Sequence, residues 1–287
     1  MTPTWSAVVL SQGDRPAELD RAVGSLLAQD GVTIEVIVVG NGWRPTGLPP
    51  EVRTVRLKRN LGAPKGRNRG VRKARGEHLF FLDDDAWLPR VDTLAAIEHA
   101  FDDDPRLGVV QTRICSPEGD GARRWVPRLR DKDPMRSSLV FSVLEGSVAV
   151  RRSVFANTRG WAGRFFYAHE GVELAWRAWD AGYTVMYRGD LHAHHPLVSR
   201  ERHTGHMRQD GRNRVWLAKR NLPTPVASVY VAMWALLTGV RFVREPSSYA
   251  SWLAGAWEGA RTYGGKRRPI KWSTVWRMTT HGRPPLV

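Results

Sequence analysis

The chain reads as an α/β protein: a mostly parallel central sheet with helices on both faces, followed by a helical C-terminal region. Three observations carry this expectation. Short runs of β-branched and aromatic residues ("WSAVVL", "IEVIVV", "HLFFL") alternate with helical patterns through the first half of the chain. Alternation of this kind builds parallel sheets whose crossovers lie on both faces. After about residue 215 the texture changes to an apolar, Trp-containing stretch. The length, 287 residues, admits one large domain with an appendage. The expected division is 1–215 and 216–287.

Each element has a local reason. "WSAVVL" is the first buried strand. Pro16 to Gln29 follows as a helix, with Leu19, Ala22, Val23, Leu26 and Leu27 on one face and Pro16 suited to a first turn. "IEVIVV" and "VRTVRL" are the next strands, and "NLGAPKGRNRGVRKAR" holds a Gly-punctuated helix start. "HLFFL" is the fourth strand. A helix from about Val91 to Phe101 carries Leu94, Ile97 and Phe101 on one face, and "GVVQTRI" returns to strand. Residues 116–145, rich in Arg, Asp and Pro, read as a surface loop region. "GSVAVRRSVF" is strand then helix. "HEGVELAWRAWDAG" is a helix ending at Gly182, "YTVMY" a strand, and "HAHHP" closes the segment.

Composition narrows the partners. Lys and Arg outnumber Asp and Glu by 44 to 28, a net charge of +16, so the surface attracts nucleic acid, anionic lipid or phosphorylated substrates. The 13 tryptophans suit a membrane interface as well as RNA. No helix-turn-helix, RNA-binding sheet signature or zinc finger is present, so nucleic acid is not the expected partner. The single cysteine, Cys115, excludes an internal disulfide framework and reads as a small core residue. "MTPTWSAVVLSQ" lacks the basic start and long apolar run of an export signal, so the expected location is the cytoplasm. "NLPTPVASVYVAMWALLTGV" carries no formal charge between Arg220 and Arg241 and is long enough, at roughly 20 residues, to span a bilayer. Residues 221–240 therefore span the membrane, lie on it, or cap the soluble domain. With the amphipathic stretch around Trp252 and Trp257 and its basic end, the preferred reading is helices lying on an anionic inner membrane surface.

The chemistry concentrates at "FLDDD". A buried central strand delivers Asp83, Asp84 and Asp85 to the C-terminal edge of the sheet, where such folds bind ligands. Three adjacent carboxylates repel one another unless positive charge faces them. Residues two apart in an extended chain point the same way, so Asp83 and Asp85 face one site while Asp84 turns aside or toward a sugar. A divalent metal, Mn²⁺ or Mg²⁺, with substrate phosphates completing its shell, suits that oxygen-rich pair.

The ensemble of "SQGDRP", "VVGNG", "NLGAPKGRNRG", "FLDDD", "GSVAVRRSVF", "HEGVELAWRAWDAGY" and "HAHH", over roughly residues 5–222, resembles the inverting family-two glycosyltransferases with the Rossmann-like GT-A fold. The resemblance implies that the loop after the first strand encloses a nucleotide through Ser11, Gln12 and Asp14. The turn Gly40, Asn41, Gly42 stands where the family usually has Asp-Asn-Gly, so Asn41 remains while the acid is missing. Asn60, Gly62, Arg67, Asn68 and Gly70 map onto the next motif, where Gly62 lets backbone approach the donor and Arg67 meets nucleotide or phosphate. Asp83 and Asp85 take the metal and diphosphate role, beside Asp84. In "HEGVEL" Gly171 and Glu173 replace the family's two aspartates and Glu170 is kept, which makes Glu170 the expected catalytic base. Glu173 is expected to pair with Arg177. Of His192, His194 and His195, a third metal ligand is expected at His195, with His194 next. The implied activity is metal-dependent, inverting transfer of a sugar from a nucleoside-diphosphate donor to a glycan or lipid-linked acceptor, at the inner face of the cell membrane. A nucleotidyltransferase is the alternative enzyme, though "LSQGDRP" lacks its Gly-rich, Lys-containing phosphate loop. A basic nucleic-acid-binding protein and an inactive scaffold, given Gly40 and Gly171, are the others.

Overall fold

The structure, a computed structural model, describes residues 3–129, 133–197, 206–281 and 283–286. Residues 1–2 of the N-terminal stretch and 130–132 of the expected loop region lie outside the described residues. An 8-stranded sheet forms the centre, in the order β3-β2-β1-β4-β7-β5-β8-β6. Its strands are β1 (Trp5–Ser11), β2 (Ile34–Asn41), β3 (Arg53–Leu57), β4 (His78–Asp83), β5 (Leu107–Cys115), β6 (Ser138–Leu139), β7 (Ser147–Arg151) and β8 (Thr184–His194). β3, β2, β1 and β4 run parallel, β7 is antiparallel between β4 and β5, and β8 is parallel to β5. The expected mostly parallel sheet is therefore present.

Strand alternation splits the core into two layers. Ala7, Val9, Phe80 and Leu82 point to one face, covered by α1 (Pro16–Leu27) and α3 (Thr93–Asp103) through Leu19, Val23, Leu26, Leu94, Ile97 and Phe101. Val8, Ile37, Leu79 and Phe81 point to the other. That face carries α2 (Ala63–Val71), α4 (Arg152–Thr158), α5 (Glu170–Asp180) and α6 (His206–Asn221). Burying side chains such as Phe80 and Phe81 completely contributes about 1.5–3 kcal/mol each. Both faces of the strands are dry, which is why these segments are apolar throughout rather than alternating.

Two departures from the sequence reading matter for the site. β8 runs beyond "YTVMY" through His194, after a register shift opposite Thr112 and Arg113, so the histidine stretch belongs to the sheet. The polar stretch 116–145 includes a 3₁₀ turn at Arg123–Trp125 and β6, an edge strand paired with β8. Beyond the sheet lie α7 (Thr224–Arg241), α8 (Pro246–Arg261) and α9 (Trp272–Thr280). α6 runs through the 215/216 position and packs on α8 by backbone contact, where Gly255 and Gly211 leave no room for a side chain. Among the described residues no helix is long and apolar enough to cross a membrane.

Candidate metal and donor site

β1 and β4 are adjacent and parallel, with Leu10 opposite Asp83, while β2 leaves on the other side of β1. The loops after β1 and β4 thus meet at the crevice where strand order reverses, the usual ligand position in such sheets. A tight turn follows Asp83, closed by the Ala86 N–H donating to Asp83 O at 3.1 Å. It leaves Asp84 and Asp85 buried, with 4% and 6% exposure.

Positive charge faces all three carboxylates. Arg15, from the loop after β1, donates through Nη2 to Asp84 Oδ1 at 2.7 Å and through Nη1 to Asp85 Oδ2. Arg67, buried in α2, donates to Asp83 Oδ1 at 2.6 Å and lies 3.8 Å from Glu170 Oε1. His195 Nε2 lies 3.2 Å from Asp85 Oδ1 and 4.0 Å from Asp83 Oδ2. Its Nδ1 is 2.7 Å from Pro196 O and donates its proton there, which turns Nε2 toward the aspartates. One ligand atom from each of Asp83, Asp85 and His195 fits within a 4.8 Å group. Two carboxylate oxygens and one imidazole nitrogen fit a hard-to-borderline divalent cation such as Mn²⁺. His192 and His194 pack together with tilted rings, centroids 5.2 Å apart, and are not in this group.

The electrostatics record the crowding. Burial pushes the Asp84 carboxyl up to about 6, against the Ser11 hydrogen bond and Arg15. Burial also raises Asp85, but the His195 hydrogen bond and charge and Arg15 hold it below the ordinary range. Burial lowers His195, yet Asp85 and Asp83 outweigh that and raise it to about 9.

The donor-loop expectations fall into two groups. Asn41 and Asn60 form a connected cradle. Asn41 Nδ2 donates to Asn60 Oδ1 at 2.8 Å, Asn41 Oδ1 accepts the Leu61 N–H, and Asn60 Nδ2 donates to Gln12 Oε1 at 2.8 Å. Asn60 Oδ1 also accepts the Gly62 N–H, where φ is 82° and a Cβ would lie 2.4 Å from Phe166 O, so only glycine fits. Ser11 is buried and its Oγ accepts the Gly13 N–H, whereas Asp14 is largely exposed, 4.0 Å from Arg15. The acid absent at Gly40 has a steric reason: a Cβ there would lie 2.4 Å from Trp43 O. Trp43 instead folds back over Gly13.

The head of α5 is the second half of the site. Glu170 is 2% exposed, and its Oε2 is buried without a hydrogen-bond partner among the described residues. Burial, then the neighbouring Glu145 carboxylate, push Glu170 up to about 8. Glu173 does pair with Arg177, at 3.0 Å, and also receives Arg220 through both its oxygens and Asn221 Nδ2 at 2.9 Å. It therefore ties α5 to α6 and is not available to a substrate.

The backbone entering α5 is held in an unfavourable conformation. Phe166, Ala168 and His169 all have positive φ, at 65°, 69° and 71°, each costing about 1–3 kcal/mol. Asn213 of α6, fully buried, donates from Nδ2 to Phe165 O at 2.8 Å and Tyr167 O at 2.6 Å. Asn213→Ala is expected to cost about 1–3 kcal/mol, because buried carbonyls lose their donor. Urea unfolding reads that loss.

The raised groups set the pH dependence of the metal-free protein. Glu170, Asp84 and His195 all have folded pKa values above their ordinary ones, about 8, 6 and 9. A raised value gives stability that is complete below the unfolded pKa and lost as pH rises through the folded one. Melting temperature in EDTA is therefore expected to fall from about pH 5 to about pH 9. Glu170→Gln should flatten the fall between about pH 5 and about pH 8.

Arg15, Glu145 and Asn213 were not singled out in the sequence. Arg15 had a signal, being the cation of a loop expected at the ligand edge. Glu145 ends a polar stretch with no periodicity, and Asn213 lies on a helix the sequence reading did not delimit.

The sequence profile of the family described as "Glycosyl transferase family 2" matches residues 7–159. The "Succinoglycan biosynthesis protein ExoO" of Rhizobium meliloti (strain 1021) is 36% identical over 113 residues, 37% of this chain and 32% of that protein. The chain thus spans about a third of the length of this curated relative. Two solved structures share the fold. A mannosyltransferase from Pyrobaculum calidifontis, in complex with GDP-Man and Mn²⁺, matches with a TM-score of 0.58 and 18% identity, covering 91% of this chain and 88% of that one. GalNAc-T7 with UDP, GalNAc and Mn²⁺ matches with a TM-score of 0.62 and 15% identity, covering 99% of this chain and 58% of that one. At these identities the likeness is one of fold, a GT-A-like α/β architecture.

Proposed function

We propose, for a chain that belongs to glycosyl transferase family 2, that it moves a sugar with inversion from a nucleoside-diphosphate donor to an acceptor hydroxyl. The observation that carries this reading is the convergence of Asp83, Asp85 and His195 at the sheet's switch point, beside the Asn41–Asn60 cradle. These three residues would hold the metal, which when bound stabilises the charge developing on a departing diphosphate. Ser11, Gln12, Asp14, Asn41, Gly62 and Asp84 enclose the donor. Arg15 and Arg67 offer guanidinium donors to phosphate oxygens. A carboxylate at the head of α5, expected from the sequence to be Glu170, takes the acceptor's proton as the hydroxyl attacks the anomeric carbon from the face opposite the leaving group. The bound nucleotides and Mn²⁺ of the two similar structures support the donor class.

The acceptor is a glycan or lipid-linked saccharide, a reading supported by the succinoglycan relative. The enzyme works in the cytoplasm at the inner face of the membrane, with residues 216–287 as a surface-binding helical region. α7 buries only Tyr230 and Thr238 of its own side chains. Leu236, Val240 and Val243 are 62%, 68% and 75% exposed, beside Arg241 and Arg244. Trp276 of α9 is 69% exposed. Apolar side chains flanked by cations suit an anionic bilayer surface. The 287-residue chain should float with phosphatidylglycerol-containing vesicles, and Val240→Asp with Val243→Asp should leave it in the pellet. Equal flotation of both proteins would defeat the membrane claim.

The deciding assay is nucleoside diphosphate release from UDP-glucose, UDP-N-acetylglucosamine and GDP-mannose, with Mn²⁺ or with EDTA. One donor is expected to turn over, and only with metal. Pyrophosphate release from nucleoside triphosphates instead would mark a nucleotidyltransferase.

A further inference from the structure

We infer that Glu145 is the catalytic base of this site, and that Glu170 is its positioning partner. The inference rests on the transferase reading above and names the carboxylate within it.

The argument begins with Gly171. A Cβ built there would lie 2.1 Å from Val143 O and 2.5 Å from Glu145 Oε1. No side chain fits at this position of α5, and the space is filled by a carboxylate arriving from the segment before β7. Glu145 Oε1 accepts the Gly171 N–H. This is an amide of the first turn of α5, whose N-cap residue His169 makes no side-chain capping hydrogen bond. A helix N-terminus and a backbone donor both favour an ionised carboxylate. Burial raises the Glu145 carboxyl, while the Arg67 charge and the backbone N–H groups of Glu145 and Gly171 act against that and favour the form that accepts a proton.

The same segment faces the metal group. Gly146, the next residue, accepts the Asp83 N–H through its carbonyl at 3.0 Å, and a Cβ on Gly146 would lie 2.8 Å from Asp83 Oδ2. Glu145 therefore stands between the Asp83 carboxylate and the head of α5, with the Arg67 charge acting on it. Glu145 is also the partly exposed member of the pair, whereas Glu170 is 2% exposed. Of the two carboxyl groups, Glu145 is therefore the one an acceptor hydroxyl can reach. Two carboxylates sharing one buried pocket do not both ionise. Glu170, with an unpartnered buried Oε2, is the one that keeps the proton.

The step balances. The acceptor O–H bond breaks and its proton passes to a Glu145 oxygen. The acceptor oxygen bonds the anomeric carbon, and the bond from that carbon to the diphosphate oxygen breaks. Its electron pair leaves with the nucleoside diphosphate, and Glu145 returns the proton to solvent.

The test compares Glu145→Gln with Glu170→Gln in the full chain, using whichever of UDP-glucose, UDP-N-acetylglucosamine and GDP-mannose the unaltered protein turns over with Mn²⁺. Glutamine at 145 still accepts the Gly171 N–H, so a merely structural cap would survive the change. We expect Glu145→Gln to lower kcat by at least about 100-fold, the usual scale of a general base. Donor KM, UDP–Mn²⁺ affinity by calorimetry, and melting temperature should be unchanged. Glutamine at 170 mimics a protonated carboxyl, so Glu170→Gln should lose only about tenfold, the scale of a positioning partner. A fully active Glu145→Gln overturns the inference. So does collapse of kcat in Glu170→Gln, which would make Glu170 itself the base while leaving the transferase reading intact. If Glu145→Gln does not fold, the Glu170→Gln result alone decides in the same two directions. No turnover of any donor by the unaltered protein defeats both the transferase reading and this inference.

Discussion

Asp85→Ala is expected to lower Mn²⁺-dependent turnover by about a thousandfold. A metal ion supplies several kcal/mol of charge stabilisation in reactions of this kind, and each 1.36 kcal/mol is tenfold in rate. Asp85 is singled out because its carboxylate meets both other parts of the cluster. One oxygen lies 3.2 Å from His195 Nε2, and the other accepts from Arg15. Removing it also leaves the Arg15 guanidinium with Asp84 alone in the turn. The change should appear in kcat and in Mn²⁺ affinity together. His195→Ala should follow the same pattern with a smaller loss, since the two carboxylates proposed as ligands would remain. Turnover of Asp85→Ala equal to that of the unaltered protein, at saturating donor, would remove the metal from the account.

Arg67→Ala should be the most destabilising single change in the site, at about 3–5 kcal/mol. That is the usual cost of removing one partner from a buried ion pair. Arg67 is 5% exposed and lies between Asp83, at 2.6 Å, and Glu170, at 3.8 Å. Its charge also acts on Glu145. Without it, three neighbouring carboxyl groups lose their shared cation. Urea denaturation measures the loss. Because the orphaned groups are acids, the defect should shrink at low pH, where they are neutral, and grow as pH rises. A variant whose stability matches the unaltered protein at pH 8 would mean that Arg67 is a solvated surface cation, contrary to its burial.

How much was legible in the sequence follows the range of the forces involved. β1, β2 and β4 are continuous apolar runs because both of their faces are buried, so their limits were readable within a residue or two. α1 and α5 announced themselves through Pro16, helical spacing and Gly182. The spacing of Asp83 and Asp85 was readable because a strand leads straight into them. Of their partners, His195 was reached only through the family resemblance, and the pairing of Arg15 and Arg67 with them was not readable. Arg15, Arg67 and His195 come from three different elements, and only the sheet order brings them together. The length of β8 was missed because its histidines follow a register shift, which interrupts the pattern of the strand. Glu145 could not be read at all. Its place depends on the absence of a side chain at Gly171, 26 residues away, and that compensation is visible only in three dimensions.

The central claim is that Asp83, Asp85 and His195 bind a divalent cation which joins them to a nucleoside diphosphate. The most direct measurement is electron paramagnetic resonance of Mn²⁺ titrated with the 287-residue chain, with and without UDP or GDP. Loss of the free Mn²⁺ signal at one ion per chain is expected, tightened by one of the nucleotides and abolished in Asp83→Ala with Asp85→Ala. An unchanged free-ion signal with either nucleotide, or uptake that persists in the double variant, would contradict the account.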